Sequence, residues 1–260
     1  MGSLSDYSEN KLLDLALGAV AFTRPATVYG SLHTATLNDD GTGTEVSGTS
    51  YVRKSITNNA TNFPAASALS KALAVQQDFA TAGSGGWGTV TDAGLWDASS
   101  SGNLLLADVI AISRTIGVGD TPRFDASTGL VISLSGAIST FLGNALLDHL
   151  LGGGDYTPPA TWYLALLVSG VEVSGNGYVR KAVANNTTNF PNASGGTKSL
   201  AVQTDFAPPS GLWGLVDEVR LYDAASAGNL GFSKTLTTPR TIGVGNPGRF
   251  SAGALTFSLT

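Results

Sequence analysis

In the second half of the chain, Ile138, Phe141, Leu142, Ala145, Leu146 and Leu150 recur at the three- and four-residue steps of a helix. They form the apolar stripe of an amphipathic helix of about three to four turns, which Gly152-Gly153-Gly154 stops. Near the N-terminus Leu4, Tyr7, Leu12 and Ala16 repeat the stripe ahead of Gly18. Beyond each helix the pattern becomes one of short apolar and β-branched runs punctuated by Gly, Asn, Asp and Pro. In the second half it predicts strands over residues 161–168, 178–184, 199–206, 216–222, 230–235, 240–244, 248–250 and 254–259. Short strands so spaced indicate a β-sandwich, jelly-roll-like in its strand number.

The two halves match because the chain is a tandem duplication. Residues 51–79 return at 178–206 with 19 of 29 positions identical, from YVRK through NN and TNFP to the closing DF. The match continues at Trp87-Gly88 and Trp213-Gly214, at DASSSGNL and DAASAGNL, and at RTIGVG from Arg114 and Arg240. A period of about 130 residues is domain-sized, far above that of a solenoid repeat, so each copy is expected to own a core. Upstream, Leu13-Asp14 matches Leu147-Asp148 and Pro25-Ala26-Thr27 matches Pro159-Ala160-Thr161 at a larger offset. The first copy has therefore gained residues within SLHTATLNDDGTGTE, a polar stretch that reads as a loop tip. The expected fold is mainly β: two tandem β-sandwich domains, 1–135 with the insertion and 136–260, each opening with one amphipathic helix. Only Ser135 and Gly136 read as linker, so the modules are expected to hold a defined relation.

Composition narrows the function. Only 13% of residues are charged, and Ser, Thr, Asn and 33 Gly dress the surface, in the manner of a robust particle-bound or extracellular β-protein. Residues 1–134 hold 12 acids against 7 bases and residues 135–260 hold 7 against 7, so the net charge of −5 sits in the first copy. That balance argues against a nucleic-acid partner, which needs clustered Lys and Arg. No cysteine is present for disulfides or thiolate metal sites. No stretch nears the roughly 20 apolar residues of a membrane helix, and the start lacks signal-peptide features, so membrane insertion and export by that route are not expected.

Residues that could carry chemistry are scattered. His33 aligns with Leu167 and His149 with Leu15, so neither histidine belongs to the shared pattern; His149, on the helical stripe, reads as a partly buried, hydrogen-bonded side chain. Two isolated histidines do not make a zinc site, and Gly117-Val118-Gly119 precedes a strand where a nucleotide loop needs a helix. The shared acids are Asp14/Asp148, Glu45/Glu172, Asp78/Asp205 and Asp97/Asp223, with no spacing that selects a catalytic pair; Asp97 and Asp223 read as turn caps before Gly-Asn. The shared bases are Arg53-Lys54/Arg180-Lys181, Lys71/Lys198, Arg114/Arg240 and Arg123/Arg249, and Arg53 and Arg180 are expected to pair with Asp78 and Asp205. Trp87/Trp213, Trp96/Tyr222, Phe63/Phe190, Phe79/Phe206 and Phe124/Phe250 read as core anchors more than as a sugar-stacking platform. No catalytic, cofactor-binding or metal-binding residue is assigned, and no binding residue is singled out.

The phrases LLDHLLGGGDYTPPATWYLALL, GYVRKAV, NNTTNFPNASGG, LYDAASAGNL and LTTPRTIGVG resemble a family of small bacteriophage virion proteins described as tail fibre proteins. Its members usually consist of one such module, and the resemblance covers nearly the whole chain, once per copy. It implies a non-enzymatic structural protein made in the host cytoplasm and carried on the virion. The expected partners are other capsid or tail proteins and further copies of the chain, a trimer giving a pseudo-sixfold arrangement. The alternative reading is a module that recognises a host surface glycan.

Overall fold

The computed structural model describes residues 3–259. The first copy runs β1 (Ser3–Leu4), α1 (Asp6–Ala16), β2 (Thr27–His33), β3 (Lys54–Thr57), β4 (Ser70–Ala72), β5 (Gln77–Asp78), β6 (Gly88–Trp96), β7 (Leu104–Ile116), β8 (Arg123–Phe124) and β9 (Val131–Ser133). The second runs α2 (Thr140–Leu150), β10 (Thr161–Val168), β11 (Val171–Glu172), β12 (Lys181–Ala184), β13 (Thr197–Ser199), β14 (Thr204–Asp205), β15 (Gly214–Tyr222), β16 (Leu230–Ile242), β17 (Arg249–Phe250) and β18 (Thr256–Ser258).

Each copy builds one large antiparallel sheet, β1-β7-β6-β2-β3 in the first and β11-β10-β15-β16 in the second, where β12 also pairs with β10. Two short ribbons accompany each sheet, β4-β9 and β5-β8, then β13-β18 and β14-β17. Phe124 on β8 lies so close to β2 that a side chain at Gly30 would meet its Cε2 at 2.5 Å. The fold is mainly β and of the sandwich type, as the alternation predicts. Two expected strands, 230–235 and 240–244, are one strand, β16, whose ladder to β15 jumps from Glu218↔Thr235 to Val216↔Arg240. Leu236, Thr237, Thr238 and Pro239 therefore oppose the single Asp217 in a wide bulge. The first copy repeats it, with Ile110 to Ser113 opposite Thr91.

The helices depart from expectation in where they go. Ser5 and Ser139 cap them, accepting from Ser8 N at 3.2 Å and Leu142 N at 3.1 Å. The same hydroxyls donate to Leu104 O and Leu230 O, which tie each N-terminus to its own copy's long strand. The rest of each helix packs on the other copy, α1 against β13 and α2 against β4. Asp14 on α1 accepts from Lys198 Nζ at 2.5 Å and Ala193 N at 2.7 Å; Asp148 on α2 accepts from Lys71 Nζ at 2.6 Å and Ala66 N at 2.7 Å. The C-terminal ends are gripped likewise. Asn185 donates to Ala16 O at 3.0 Å and accepts from Gly18 N at 2.5 Å, while Asn58 donates to Leu150 O at 3.0 Å and accepts from Gly152 N at 2.6 Å. Gly152 has φ +100°, and a Cβ there would meet Phe63 O at 2.2 Å, so only glycine fits this end against the first copy.

This exchange overturns the expectation that each copy owns a core. One continuous cluster of buried side chains runs from Leu4, Leu12 and Leu13 through Phe63 and Leu73 to Leu146, Phe190, Leu200 and Phe257, with both helices inside it. Phe141, expected on the apolar stripe, is 51% exposed, and Ile138 lies ahead of the helix in a bridge to Phe232. The insertion in the first copy is more than a loop tip. Its Leu37 is buried with Trp96, Leu104 and Ala107 in a second small cluster, and Asp39 O accepts from Asp6 N.

Two outcomes follow. Residues 136–260 alone carry both sides of the exchange, Asp148 with Lys198 and Gly152 with Asn185, so the fragment is expected to form a twofold dimer. Light scattering after size exclusion should return twice its mass, and a folded monomer would contradict the exchange. In the full chain, Lys198→Met alone strands the Asp14 carboxylate at a buried site and should cost about 3–5 kcal/mol. Adding Asp14→Asn, which keeps the acceptor for Ala193 N, should recover most of that loss in denaturant titrations.

Candidate functional site

Most of the shared acids, with Arg53, Arg180, Lys71 and Lys198, resolve into structural roles. Arg53 holds Glu45 Oε2 at 2.8 Å, donates to Ala98 O at 3.0 Å and Ser101 O at 2.8 Å, and lies 4.0 Å over the Trp96 ring. Arg180 repeats this with Glu172 Oε2 at 2.8 Å, Ala224 O, Ala227 O and the Tyr222 ring at 3.8 Å. The expected partners, Asp78 and Asp205, are thus corrected to Glu45 and Glu172. The acid that closes the pair sits on the loop or short strand after β2 or β10, within reach of an Arg that precedes β3 or β12. Asp205 pairs instead with Arg249 at 2.6 Å, across the β14-β17 ribbon. Hydrogen bonds from Arg180 hold the Glu172 carboxyl below the usual carboxylate range, with burial opposing them.

Asp97 and Asp223 cap their turns, accepting from Asn103 N and Asn229 N at 2.7 Å each. The four shared acids of each copy lie on a helix, a loop or short strand, a ribbon and a turn, each with its own partner. His149 is buried at the helix exchange, where its Nδ1 accepts from Tyr156 N at 3.2 Å and its Nε2–H donates to Phe22 O at 2.9 Å. His33 is 1% exposed beside Ser31, and burial pulls its pKa below the ordinary histidine value. Trp87 and Trp213 are buried as anchors, with Tyr51 and Tyr178 packed edge-on at 5.2 and 5.3 Å. Among the described residues no three His, Asp or Glu side chains converge as a metal site, and no helix is long and apolar enough to cross a membrane.

What the two copies do present is a pair of equivalent clefts. Each opens between the bulged half of the long strand and the loop carrying β8 or β17. Their volumes are about 710 Å³ in the first copy and about 650 Å³ in the second. Ordinary small-ligand pockets span this range. Periodicity gives no sign of them, because a bulge of four residues looks like a strand break in sequence. RTIGVG, with its Arg114 or Arg240, signals the far wall. Acids line the first cleft at Asp108, Asp120 and Asp125 beside Arg114 and Arg123. The same positions in the second are Lys234, Asn246 and Ser251, beside Arg240 and Arg249. Of these, Lys234, Asn246, Arg240 and Arg249 line its wall.

Two fused sandwich modules that share one core and display clefts at corresponding bulges make up a duplicated β-module. The protein-family model Gp80, the podophage GP4 fiber I protein gp80, matches residues 3–131 and again 137–258. The chain belongs to this phage fibre family and is a virion protein. A search of curated proteins finds no match.

The Arg180–Glu172 pair gives a pH prediction. A carboxyl held below its unfolded value stabilises the fold above about pH 4.3, the ordinary Glu pKa. That stability is lost as pH falls through the lowered value. Thermal midpoints should drop between pH 6 and pH 3, and Glu172→Gln should start lower but drop less over the same interval.

Proposed function

We propose that the chain is a non-enzymatic structural component of the phage fibre that assembles through protein–protein contacts with other virion proteins and with copies of itself. The observation that carries this reading is the division of labour between core and rim. Most buried apolar positions stay apolar from copy to copy, whereas exposed positions in and around the bulges diverge. Val109 and Ile112 stand 67% and 74% exposed on the first copy, where the second has Thr235 and Thr238. On the second copy Leu212 and Leu215 are 63% and 51% exposed, where the first has Gly86 and Thr89. Two different apolar displays on one rigid body suit two different contacts. A closed homo-oligomer is the common solution for such parts, and a trimer of this duplicated chain would present six related modules.

A capsid-decorating role is the competing placement on the particle. Immunogold electron microscopy of purified virions with an antibody to this chain separates the two. Label on the tail or its fibres is the expected result, and label spread over the head would replace the fibre reading with decoration. A second reading, recognition of a host surface glycan, is favoured by one feature, the polar cleft of the second copy.

A further inference from the structure

We infer that the cleft of the second copy is a binding site for a carboxylated glycan, with Lys234, Arg240 and Arg249 as its anion-contacting residues. This rests on the glycan-recognition reading and gives it a place and a ligand class.

Charge favours an anionic ligand. The second cleft is lined by three cations and no carboxylate, whereas the first is lined by two cations and three acids. The reversal comes from particular positions on the same scaffold, chiefly Asp108 against Lys234, Asp120 against Asn246 and Asp125 against Ser251. Arg249 spends Nε and Nη2 on Asp205, at 2.6 and 3.2 Å, which leaves Nη1 for a ligand. Arg240 is exposed, at the cleft side of the bulge.

The neutral lining favours a polyol. Thr235, Thr237, Thr238, Thr241 and Thr256 supply hydroxyls that can both donate and accept, the capability that matches a polyol. One aromatic face joins them. In the first copy Gly30 makes room for Phe124, which is buried at 4% exposure. In the second, Leu164 occupies the corresponding position and is itself fully buried, and Phe250 is only half-buried at the cleft wall. A partly exposed ring beside hydroxyls and cations suits contact with a sugar while its carboxylate meets the guanidinium groups. A nucleic acid fits less well, because the second copy has 7 acids against 7 bases and no extended positive field.

The test uses the full chain and isothermal titration with polygalacturonate oligosaccharides as the probe, beside dextran and poly-L-glutamate. Polygalacturonate should bind, with dextran and poly-L-glutamate much weaker. Lys234→Asp, which installs the first copy's residue, and Arg240→Ala should each weaken binding about tenfold or more. Asp108→Lys, on the other copy, should leave it within about twofold. Thermal unfolding matching the parent verifies that these variants fold. Dextran binding as tightly as polygalacturonate would leave glycan recognition standing and overturn the anionic assignment. Poly-L-glutamate binding equally would make the cleft an acidic-peptide site. No binding of polygalacturonate, or binding unchanged in both cleft variants, would overturn the proposal, and the fibre role would be untouched.

Discussion

The structure depends on two ion pairs, each made by a buried lysine, that cross from one copy to the other. Lys198 has no exposed side-chain surface, and burial pulls its pKa below the ordinary lysine value while Asp14 pulls the other way. A lone ammonium at such a depth is untenable, and a lone carboxylate nearly so. The pair is tolerable only when α1 lies on the second copy, and Lys71 with Asp148 imposes the same condition on α2. Each copy therefore carries a buried cation whose carboxylate partner lies on the other copy's helix. Hydrophobic burial could hold a helix in several registers, but a buried cation with one available carboxylate accepts a single one.

The asparagines finish what the ion pairs begin. A helix end leaves carbonyls and amides that must be met by caps, side chains or water. Here Asn58 and Asn185 take both roles at once, the amide nitrogen meeting a helix carbonyl and the amide oxygen meeting the glycine that follows. Gly18 and Gly152 allow the close approach, with positive φ in both. The two ends are not equal, however. Trp162 adds a bond to Ala16 O at 3.0 Å, and the first copy has Val28 at that place. Arg24 in turn reaches across to Gly153 O and Asp155, from a position that is Pro158 in the second copy. Duplication has let each side of the exchange acquire its own reinforcement, which two identical chains could not do.

The sequence made the duplication, the helices, the main strands and the turn caps legible, because each is a local pattern with a local cause. The exchange was not legible. An amphipathic stripe shows that a helix face is buried, and says nothing of which copy covers it when both copies offer the same surface. Asp14, Lys198, Asp148 and Lys71 all stood among the shared charges, but partners 184 and 77 residues apart leave no periodic trace. Arg53 and Arg180 find their acids, Glu45 and Glu172, only eight residues back, across a loop that folds onto β2 or β10 and leaves no alternation to read. The clefts were hidden differently. Four residues looped out of a ladder interrupt the alternation, so one bulged strand reads as two strands and a turn.

These facts together account for where the copies differ. The interior couples both copies through one core, so a change at a helix, at Asn58 or Asn185, or at a buried lysine is felt by both modules. The bulge tips, at Ile112 in the first copy and Thr237 and Thr238 in the second, stand exposed beyond that core and answer mainly to solvent and to whatever they touch. Asp108 and Lys234 stand at corresponding places on the two cleft walls, away from the exchange. A single module of this design would leave its helix-binding surface unfilled unless a second molecule supplied the helix, and the two clefts would then be identical. Fusion of two modules in one chain removes that identity. It is what allows one body of a fibre protein to offer an acidic cleft and a basic one on the same rigid scaffold.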